Sequence, residues 1–438
     1  MLKNIIYTFS TSIIIMLLNV VSGILTARFL GPEGKGELTA LLLWPGLISA
    51  VGSLGLFEAI TYFTGKETKG KIGSIFSNSI LASVAQSILL IGIGYLILPR
   101  LMNKYDADAV HMSRALLIFI PINLLALYIN SIFQGKLLIK YYNRTRLLVY
   151  LVYVIGIVLL SVTGRLSIYS CALVWILANL TTLSFEFIWI WRLGYIHWSV
   201  DLPLLYRMIN YGVKAYIGNL SSILNIRLDQ LILAIVVSPA LFGFYVVAFT
   251  ISGGASLVSG AVASIALPTV SSISSLENKL ISFARFLRFD LWISVMVSLV
   301  LFLILPWFLP LLFGDAFIPS IPAARILVFA GVISGMNNVM SAGLKGCGMP
   351  LVSTLGEVIT LIATLFFLSV LIPKYQIYGA ALASFFSYSV GFICMCWLVR
   401  LNLGLKPSSF ILPQQEDMLF MMSSFRRLRI INKNHIVR

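Results

Sequence analysis

Long apolar runs, separated by short polar connections, occupy the chain from residue 7 to residue 399. Each run is long enough for an α-helix to cross the hydrocarbon core of a bilayer, which takes about 20 residues. A transmembrane β-barrel would instead show alternating segments of about 10 residues. The pattern therefore predicts an all-α integral membrane protein with about twelve transmembrane helices. The predicted spans are residues 7–29, 38–63, 75–98, 115–135, 147–163, 168–190, 209–236, 240–266, 290–313, 321–343, 351–372 and 377–399.

The composition agrees with this prediction and limits the class of partner. Hydrophobic residues make up 59% of the chain and charged residues 11%, whereas a soluble domain carries about a quarter charged residues. The net charge of +16 is spread over short clusters between the apolar runs, where no connection could hold a nucleic-acid-binding domain. We therefore expect no nucleic acid partner, and we expect the basic clusters to contact anionic membrane lipids. The first run, after Lys3, is too long for a signal-peptide core and is expected to be the first span.

The distribution of Lys and Arg predicts the orientation in the membrane. One side of the predicted bundle carries 21 of the 31 basic residues and the other carries 8, with Lys214 and Arg227 left inside a span. Cytoplasmic loops are enriched in Lys and Arg, so the first side is the cytoplasmic one. Both termini fall on that side, which requires an even number of spans. The predicted localisation is multi-pass in the cytoplasmic (inner) membrane.

Two short matches indicate that the chain repeats itself. The stretch Leu30–Gly36 resembles Val237–Gly243 at an offset of 207 residues, and Phe133–Lys136 resembles Leu344–Cys347 at an offset of 211. Tight turns favour Pro and Gly in general, so chance similarity is the alternative. Similar offsets favour a repeat of six spans, because six spans insert each copy with the same orientation.

The repeat predicts two six-helix lobes around a central cavity, which is a common plan for transporters. Residues 1–200 would form the N-terminal lobe and residues 201–400 the C-terminal lobe. Residues 401–438 would form a basic amphipathic tail on the cytoplasmic leaflet, or a disordered end.

Span 7 carries more polar residues than a lipid-facing helix could hold. At about 100° per residue, one stripe of the helix contains six polar or small residues. In the functional interpretation, Lys214 and Asn225 line the cavity, Lys214 contacts an anionic substrate group, and Asp229 binds an ion or a proton. In the structural interpretation, Arg227 and Asp229 form structural pairs with neighbouring groups, while Lys214 extends to the cytoplasmic surface. The stripe consists of Asn210, Lys214, Gly218, Ser221, Asn225 and Asp229, with Asn219, Arg227 and Gln230 on the opposite face.

Other charged residues in apolar surroundings are further candidates. Arg28, near the outer end of span 1, either lines the same cavity or anchors the end of the helix. Glu58, Glu186 and Glu357 lie in the cytoplasmic halves of their spans and could couple transport to protons or sodium. For Glu186 we favour pairing with a loop lysine, which leaves Glu58 and Glu357 as the ion-coupling candidates beside Asp229. Neither a cofactor nor a metal is expected beyond such an ion.

Four stretches, in this order, resemble the polysaccharide-transport (O-antigen-type) oligosaccharide flippases. The first two include Arg28, and Arg227 together with Asp229, which makes these the candidate residues that the resemblance itself covers. The stretches are Ala27–Gly36, Arg227–Leu233 followed by Pro239–Tyr245, Phe308–Phe317 and Pro373–Ala383.

The resemblance implies the fold of the multidrug/oligosaccharidyl-lipid/polysaccharide (MOP) exporters, with a cationic cavity between two lobes. It implies a polyprenyl-pyrophosphate-linked oligosaccharide as substrate, moved across the cytoplasmic membrane by alternating access for surface polysaccharides such as the O-antigen of lipopolysaccharide. It also implies possible association with the polysaccharide polymerase machinery. A pyrophosphate needs cationic partners, which Arg28, Lys214 and Arg227 could supply.

Two other functions compete with flipping. A cation-coupled multidrug antiporter of the same superfamily should have an acidic cavity, whereas span 7 carries both signs of charge. A membrane oligosaccharide polymerase or ligase typically has a large outer loop, but the longest predicted outer connection covers only residues 99–114. The three histidines lie in loops or the tail, without a nucleophile or metal cluster, so we expect a transporter and no enzyme. The peptidoglycan-precursor flippases usually have two more helices than this chain can hold.

Overall fold

Helices form all the regular secondary structure in the part of the chain that this computed structural model describes, residues 2–66, 69–405 and 408–411. Short 3₁₀ turns precede two of them, at Leu116–Ile118 and Asp315–Ser320. The α-helices are α1 Leu2–Gly52, α2 Leu56–Lys66, α3 Lys69–Leu101, α4 Ala107–Ala115, α5 Phe119–Gly135, α6 Ile139–Val162, α7 Ile168–Arg192, α8 Leu202–Val236, α9 Pro239–Ser272, α10 Leu276–Phe313, α11 Ile321–Gly346, α12 Pro350–Leu403 and α13 Ser408–Ile411.

Helix α1 changes direction at Gly31. Its 51 residues would be about 75 Å long if straight, far more than the roughly 30 Å of the hydrocarbon core. Gly31 has φ 67°, a value that favours glycine, and Pro32 then starts a new helical segment with the φ it requires. The Lys35 ammonium donates to the Thr26 hydroxyl at 2.8 Å, although nine residues of straight helix would separate them by about 13 Å. The helix therefore supplies span 1 and most of span 2, and the polar loop expected between them is helical.

Helix α12 changes direction in the same manner. Its 54 residues include Gln376 at φ 50°, just after Pro373. A side chain on Gly379 would overlap the Leu371 carbonyl, so the two segments touch beside the break. Helix α12 therefore contains both of the last two predicted spans.

The described helices accommodate all twelve predicted spans. Eight of them are long and apolar enough to cross a membrane, and a ninth is the bent helix α9. Two of these, α1 and α12, each contain two spans. The remaining predicted span, residues 209–236, lies in α8. Span 2 is broken at Ser53–Gly55 and continues in α2, which ends at Lys66.

The predicted repeat has a repeated backbone. After α5, Leu137 adopts φ 56° and the Leu138 amide donates to the Phe133 carbonyl at 2.8 Å. After α11, and 211 residues later, Gly348 adopts φ 85° and the Met349 amide donates to the Leu344 carbonyl at 2.9 Å.

The glycines that precede these turns also have matching surroundings. A side chain on Gly135 would overlap the Thr61 carbonyl of α2, and one on Gly346 would press on α9 at Val270 and the Leu267 carbonyl. Each glycine thus lets the helix that it ends approach the main chain of another helix. Turns of the same form end α6 and α7, at Gly164 and Gly194, so this geometry agrees with the repeat, which stays a prediction.

The chain divides into two compact units by internal contacts. The first unit comprises Met1–Ser252, Ile304–Leu327 and Thr364–Ser384. The second comprises Gly253–Leu303, Val328–Ala363 and Phe385–Arg438. The division into lobes at residues 1–200 and 201–400 follows from the sequence repeat and stays a prediction.

Only the start of the tail lies in the described part of the chain. Helix α13 inserts the fully buried Phe410 beside Phe283, with ring centroids 6.0 Å apart. The Arg288 guanidinium donates to the Ser409 carbonyl at 2.6 Å and fixes the segment to α10. The predicted amphipathic stretch beyond residue 411 lies outside the described residues.

Candidate functional site

Arg28 holds the end of α10 in the first unit. Its Nε donates to the Leu312 carbonyl at 2.7 Å, and its Nη2 donates to the Leu311 carbonyl. The last carbonyls of a helix have no partner within the helix, and a guanidinium fits both their hydrogen-bonding need and the negative end of the helix dipole. The contact joins span 1 to the end of span 9.

A cavity of about 420 Å³ opens beside this contact. Arg28 and Asp315 are its charged residues, and at Gly31 and Gly314 the wall is formed by backbone alone. Arg28 thus lines a cavity and anchors the end of α10, while its place in a cavity shared with Lys214 stays a prediction. The residues lining the cavity are Ala27, Arg28, Gly31, Pro310, Phe313, Gly314, Asp315, Ala316 and Phe317.

Asp229 is buried between α8 and α9. It is 2% exposed, and its Oδ2 accepts a hydrogen bond from the Tyr245 hydroxyl at 2.5 Å. Its Oδ1 accepts from the Gln230 amide at 2.7 Å. Arg227 is exposed, and its Nη1 makes a long contact of 3.4 Å to Gln230. Asp229 thus has its hydrogen bonds from Tyr245 and the backbone, within the packed helices.

The polar stripe of α8 changes character along the helix. Asn210 and Lys214 are exposed, Asn225 is half-buried, and Ser221 and Asp229 are buried. The surroundings of Gly218 and Asn219 lie outside the described part of the chain. The Lys214 ammonium is accessible to a ligand, because its side chain is exposed. The Asp229 end of the stripe is buried between helices.

Glu58 lies in the first turn of α2, where span 2 is broken. It is half-buried and interacts electrostatically with Tyr216 of α8. The Tyr216 hydroxyl donates to the Val51 carbonyl at 3.0 Å, one of the last carbonyls of α1. Glycines 55 and 212 bring the two backbones together at this point, because a side chain on either would overlap the other's main chain.

A second glycine contact joins the two copies of the repeated motif. A side chain on Gly36 would overlap the Pro239 carbonyl, and one on Gly243 would overlap the Pro32 carbonyl. The offset of 207 residues that relates Pro32 to Pro239 also relates Gly36 to Gly243. Equivalent residues therefore contact each other reciprocally, as two copies of one motif do across a two-fold axis.

Glu357 belongs to a polar cluster in the second unit. Its Oε1 accepts from the Ser341 hydroxyl at 3.0 Å and lies 3.7 Å from the Lys345 ammonium. Ser341 and Ser353 share a hydrogen bond of 2.6 Å. Pairing with a lysine, which we expected for Glu186, is thus found at Glu357, with Lys345 in the last turn of α11.

Glu186 has a different environment in the first unit. It is 0% exposed, and its Oε1 accepts from the Asn130 amide at 2.6 Å. Asn130 in turn accepts from the Thr145 hydroxyl at 2.6 Å. The expected lysine partner of Glu186 is wrong, because the carboxylate lies enclosed among α5, α6 and α7, where it meets an amide.

Two charged residues were missed as candidates. Lys35 was counted as an outer-loop cation, but it is 9% exposed and bonded to Thr26, because the expected loop is helical. Asp290 was taken as the boundary of span 9, but α10 begins at Leu276, so Asp290 lies well inside the helix. It is 0% exposed, and the Ser294 hydroxyl donates to its Oδ1 at 3.3 Å. At both positions the sequence shows a charged residue next to an apolar run, which is the pattern that could have marked it as buried.

The candidate residues form several separate groups. Arg28 bonds the end of α10, Asp229 bonds Tyr245 and the backbone of Gln230, and Glu357 bonds Ser341 beside Lys345. The described residues contain no cluster of His, Cys, Asp and Glu suited to a metal ion. Cations are available at the cavity and on α8, while the buried carboxylates lie between packed helices.

A comparison of the sequence with protein families decides which family this is. The family described as polysaccharide biosynthesis protein matches residues 25–322, well over half of the chain. The chain belongs to this family.

Solved structures confirm the MOP exporter fold of this polysaccharide biosynthesis protein. The lipid II flippase MurJ in an inward closed conformation aligns over 98% of this chain and 99% of its own, with a TM-score of 0.74 and 12% identity. A multidrug resistance MATE family transporter in an inward-facing conformation aligns over 91% and 99%, with a TM-score of 0.70 and 15% identity. A MOP superfamily transporter from Pyrococcus furiosus gives a TM-score of 0.62 over 92% and 95%, with 16% identity. At such identities the likeness establishes the fold alone.

Among curated proteins, an uncharacterized membrane protein of Methanocaldococcus jannaschii is 32% identical over 90 residues. The match covers 20% of this chain and spans only 18% of that relative's length. It adds a second link to a membrane protein and carries no information on substrate.

Proposed function

We propose that this protein is a flippase for polyprenyl-pyrophosphate-linked oligosaccharide repeat units, which it moves across the cytoplasmic membrane by alternating access. The observation that carries the proposal is the family match over residues 25–322. The fold shared with a protein described as a lipid II flippase supports it, since lipid II is itself a lipid-linked saccharide.

The charges of the candidate residues support an anionic head group. Arg28 lines a cavity, and Lys214 and Arg227 are exposed on α8, which contains the seventh predicted span. A charged side chain exposed within a span is costly unless it meets water, a partner or an interface. A pyrophosphate is a ligand that guanidinium and ammonium groups bind well.

The second candidate is a cation-coupled multidrug antiporter, which the MATE fold favours. Its cavity should present carboxylates to a cationic drug. Asp229 and Asp290 are instead buried and hydrogen-bonded to hydroxyl groups. The flippase is therefore the better supported of the two.

Surface polysaccharide in a deletion strain tests the proposal. Wild type should restore the polymer, and Lys214→Ala should reduce it at least tenfold while lipid-linked repeats accumulate on the cytoplasmic side. Lys140→Ala, which removes an exposed lysine at the start of α6, is the matched control and should restore the polymer fully.

Two results would contradict the proposal at different levels. Full polymer with Lys214→Ala, at a normal protein level, would remove Lys214 from the substrate site. A deletion strain with intact polymer and raised drug sensitivity would replace the flippase with the antiporter.

A further inference from the structure

Two polar clusters form around equivalent positions of the repeat and differ in charge. Asn130 and Ser341 are equivalent at the offset of 211 residues, and each bonds a hydroxyl of the following helix and a carboxylate. In the second half the carboxylate, Glu357, has the ammonium of Lys345 at 3.7 Å. The residue equivalent to Lys345 is the uncharged Gln134.

Glu186 and Glu357 do not occupy equivalent positions, but each accepts a hydrogen bond from its member of the equivalent residue pair, and Glu186 has no ion pair among the described residues. It is 0% exposed, and its Oε2 is buried without a hydrogen-bond partner among the described residues. Enclosing an ionised carboxylate costs several kcal/mol or more unless a cation or several donors compensate it. One amide donor from Asn130 does not supply that compensation.

The described charged groups on the surrounding helices are exposed or contact residues other than Glu186. Helices α1, α5 and α6 pack against α7, and α5 has no charged residue. On α6, Lys140 and Arg144 are exposed, and Arg146 lies over the Tyr142 ring at 5.4 Å. The inner segment of α1 offers Tyr7, which is exposed. No ion pair described in the structure reaches Glu186.

We propose that Glu186 is a proton-binding site that couples transport to a proton gradient, with Asn130 and Thr145 as the residues that position its carboxyl group. The proposal rests on the transport function proposed above. In the loaded state the carboxyl group carries the proton and needs no counter-ion. In the released state the proton passes to water, which requires a conformation that opens the cluster to solvent.

The geometry favours a proton over a sodium ion. Sodium requires several oxygen ligands around a space large enough for the ion, whereas here the amide and hydroxyl groups bond directly at 2.6 Å. The Asn130 amide group points its nitrogen at Glu186, and it also donates to the Ala126 carbonyl at 2.9 Å. A nitrogen donor repels a metal cation and stabilises a carboxyl oxygen.

Infrared difference spectroscopy of the full chain in lipid vesicles tests the site without any saccharide. A pH titration of the wild type should show a protonated-carboxyl C=O component that is lost in Glu186→Gln and retained in Glu357→Gln. In Asn130→Leu the component should move to higher frequency, because the carbonyl oxygen loses its donor. Thermal unfolding of each variant verifies that it is folded.

Three outcomes would overturn the proposal. The first is an unchanged titration in Glu186→Gln, and the second is an unmoved component in folded Asn130→Leu. The third is loss of the component on adding sodium at constant pH, with choline as the control, which would make the ligand a metal cation. If the component behaves as expected while the polysaccharide experiment fails, the proton site stands and the proposed substrate falls.

Discussion

At the residue scale, the buried carboxylates of this protein are stabilised in four different ways. Asp229 bonds a tyrosine and a backbone amide, and Asp290 bonds a serine. Glu357 lies near a lysine, and Glu186 meets a single amide donor. Glu186 and Asp290 each keep one buried oxygen without a hydrogen-bond partner among the described residues. Asp229 has donors to both oxygens and Glu357 has a lysine nearby, so we expect these two to act mainly in packing.

The Asp229–Tyr245 bond offers a direct test of this distinction. Tyr245→Phe should lower the free energy of unfolding by about 1–3 kcal/mol, because it leaves a buried carboxylate oxygen without its donor. Asp229→Asn should have a smaller effect, since the amide oxygen still accepts the bond. Thermal unfolding in detergent measures both effects, and the double variant should be less destabilised than the sum of the two. Additive effects would mean that the two side chains act independently.

The contribution of Arg28 to transport should depend on the geometry of its guanidinium group and not on its charge alone. Its two hydrogen bonds go to adjacent carbonyls, a geometry that a lysine cannot reproduce. We expect Arg28→Ala to lose roughly tenfold or more of transport, consistent with about 1.5–3 kcal/mol for a charged hydrogen bond. Arg28→Lys should recover a minor part. Surface polymer at matched protein level is the measurement, and equal activity of Lys and Arg would contradict a role for the carbonyl contact.

At the scale of elements, the close helix contacts depend on glycines. The pair Gly36–Gly243 and the pair Gly55–Gly212 each place one backbone against another, with no room for a Cβ. Small residues permit such approaches in membrane proteins, where packing rather than hydrophobicity drives helix association.

Substitution at one such glycine should therefore be much more damaging than at a glycine in open space. Gly36→Ala should lower thermal stability and transport, because the new methyl group overlaps the Pro239 carbonyl. Gly46→Ala, in the same helix, has nothing within 4 Å of the new methyl group and should be neutral or slightly stabilising. Comparing the thermal midpoints and the surface polymer of the two variants tests the contact. Similar behaviour of the two variants would show that the helices at Gly36 and Gly243 can move apart without loss of stability or transport.

The sequence predicted the spans and the repeat because apolar length and turn chemistry are local properties. It could not predict the kink that buries Lys35, since Gly-Pro signals a loop as readily as a break between two helices. It also placed Asp290 at a boundary, because a charge next to an apolar run normally marks the interface. The partner of Glu186 could not be predicted, since Asn130 lies 56 residues away along the chain.

At the scale of the whole molecule, the fold of a MOP exporter is established and the orientation is still a prediction. The excess of Lys and Arg places the termini on the cytoplasmic side. The orientation decides which end of α8 an incoming substrate meets first. In that orientation Lys214 lies nearer the cytoplasm than Asn225 and Asp229.

Cysteine labelling in intact cells tests the orientation. Lys104→Cys, in the exposed turn before α4, should react with a membrane-impermeant thiol reagent, whereas Lys140→Cys should react only after the cells are opened. The four native cysteines are buried or half-buried, so the unaltered chain is a suitable background and control. The reverse pattern would invert the topology and place the Arg28 cavity on the cytoplasmic side.

The reciprocal contact of Gly36 and Gly243 has a consequence for its chemistry. In place of the side chain that does not fit, each Cα directs a hydrogen at a proline carbonyl, which makes a weak C–H···O bond. Such a bond contributes about 0.5–1 kcal/mol and involves no charged or titratable group. The junction between the two motif copies should therefore keep its strength when ionic strength or acidity changes outside the cell.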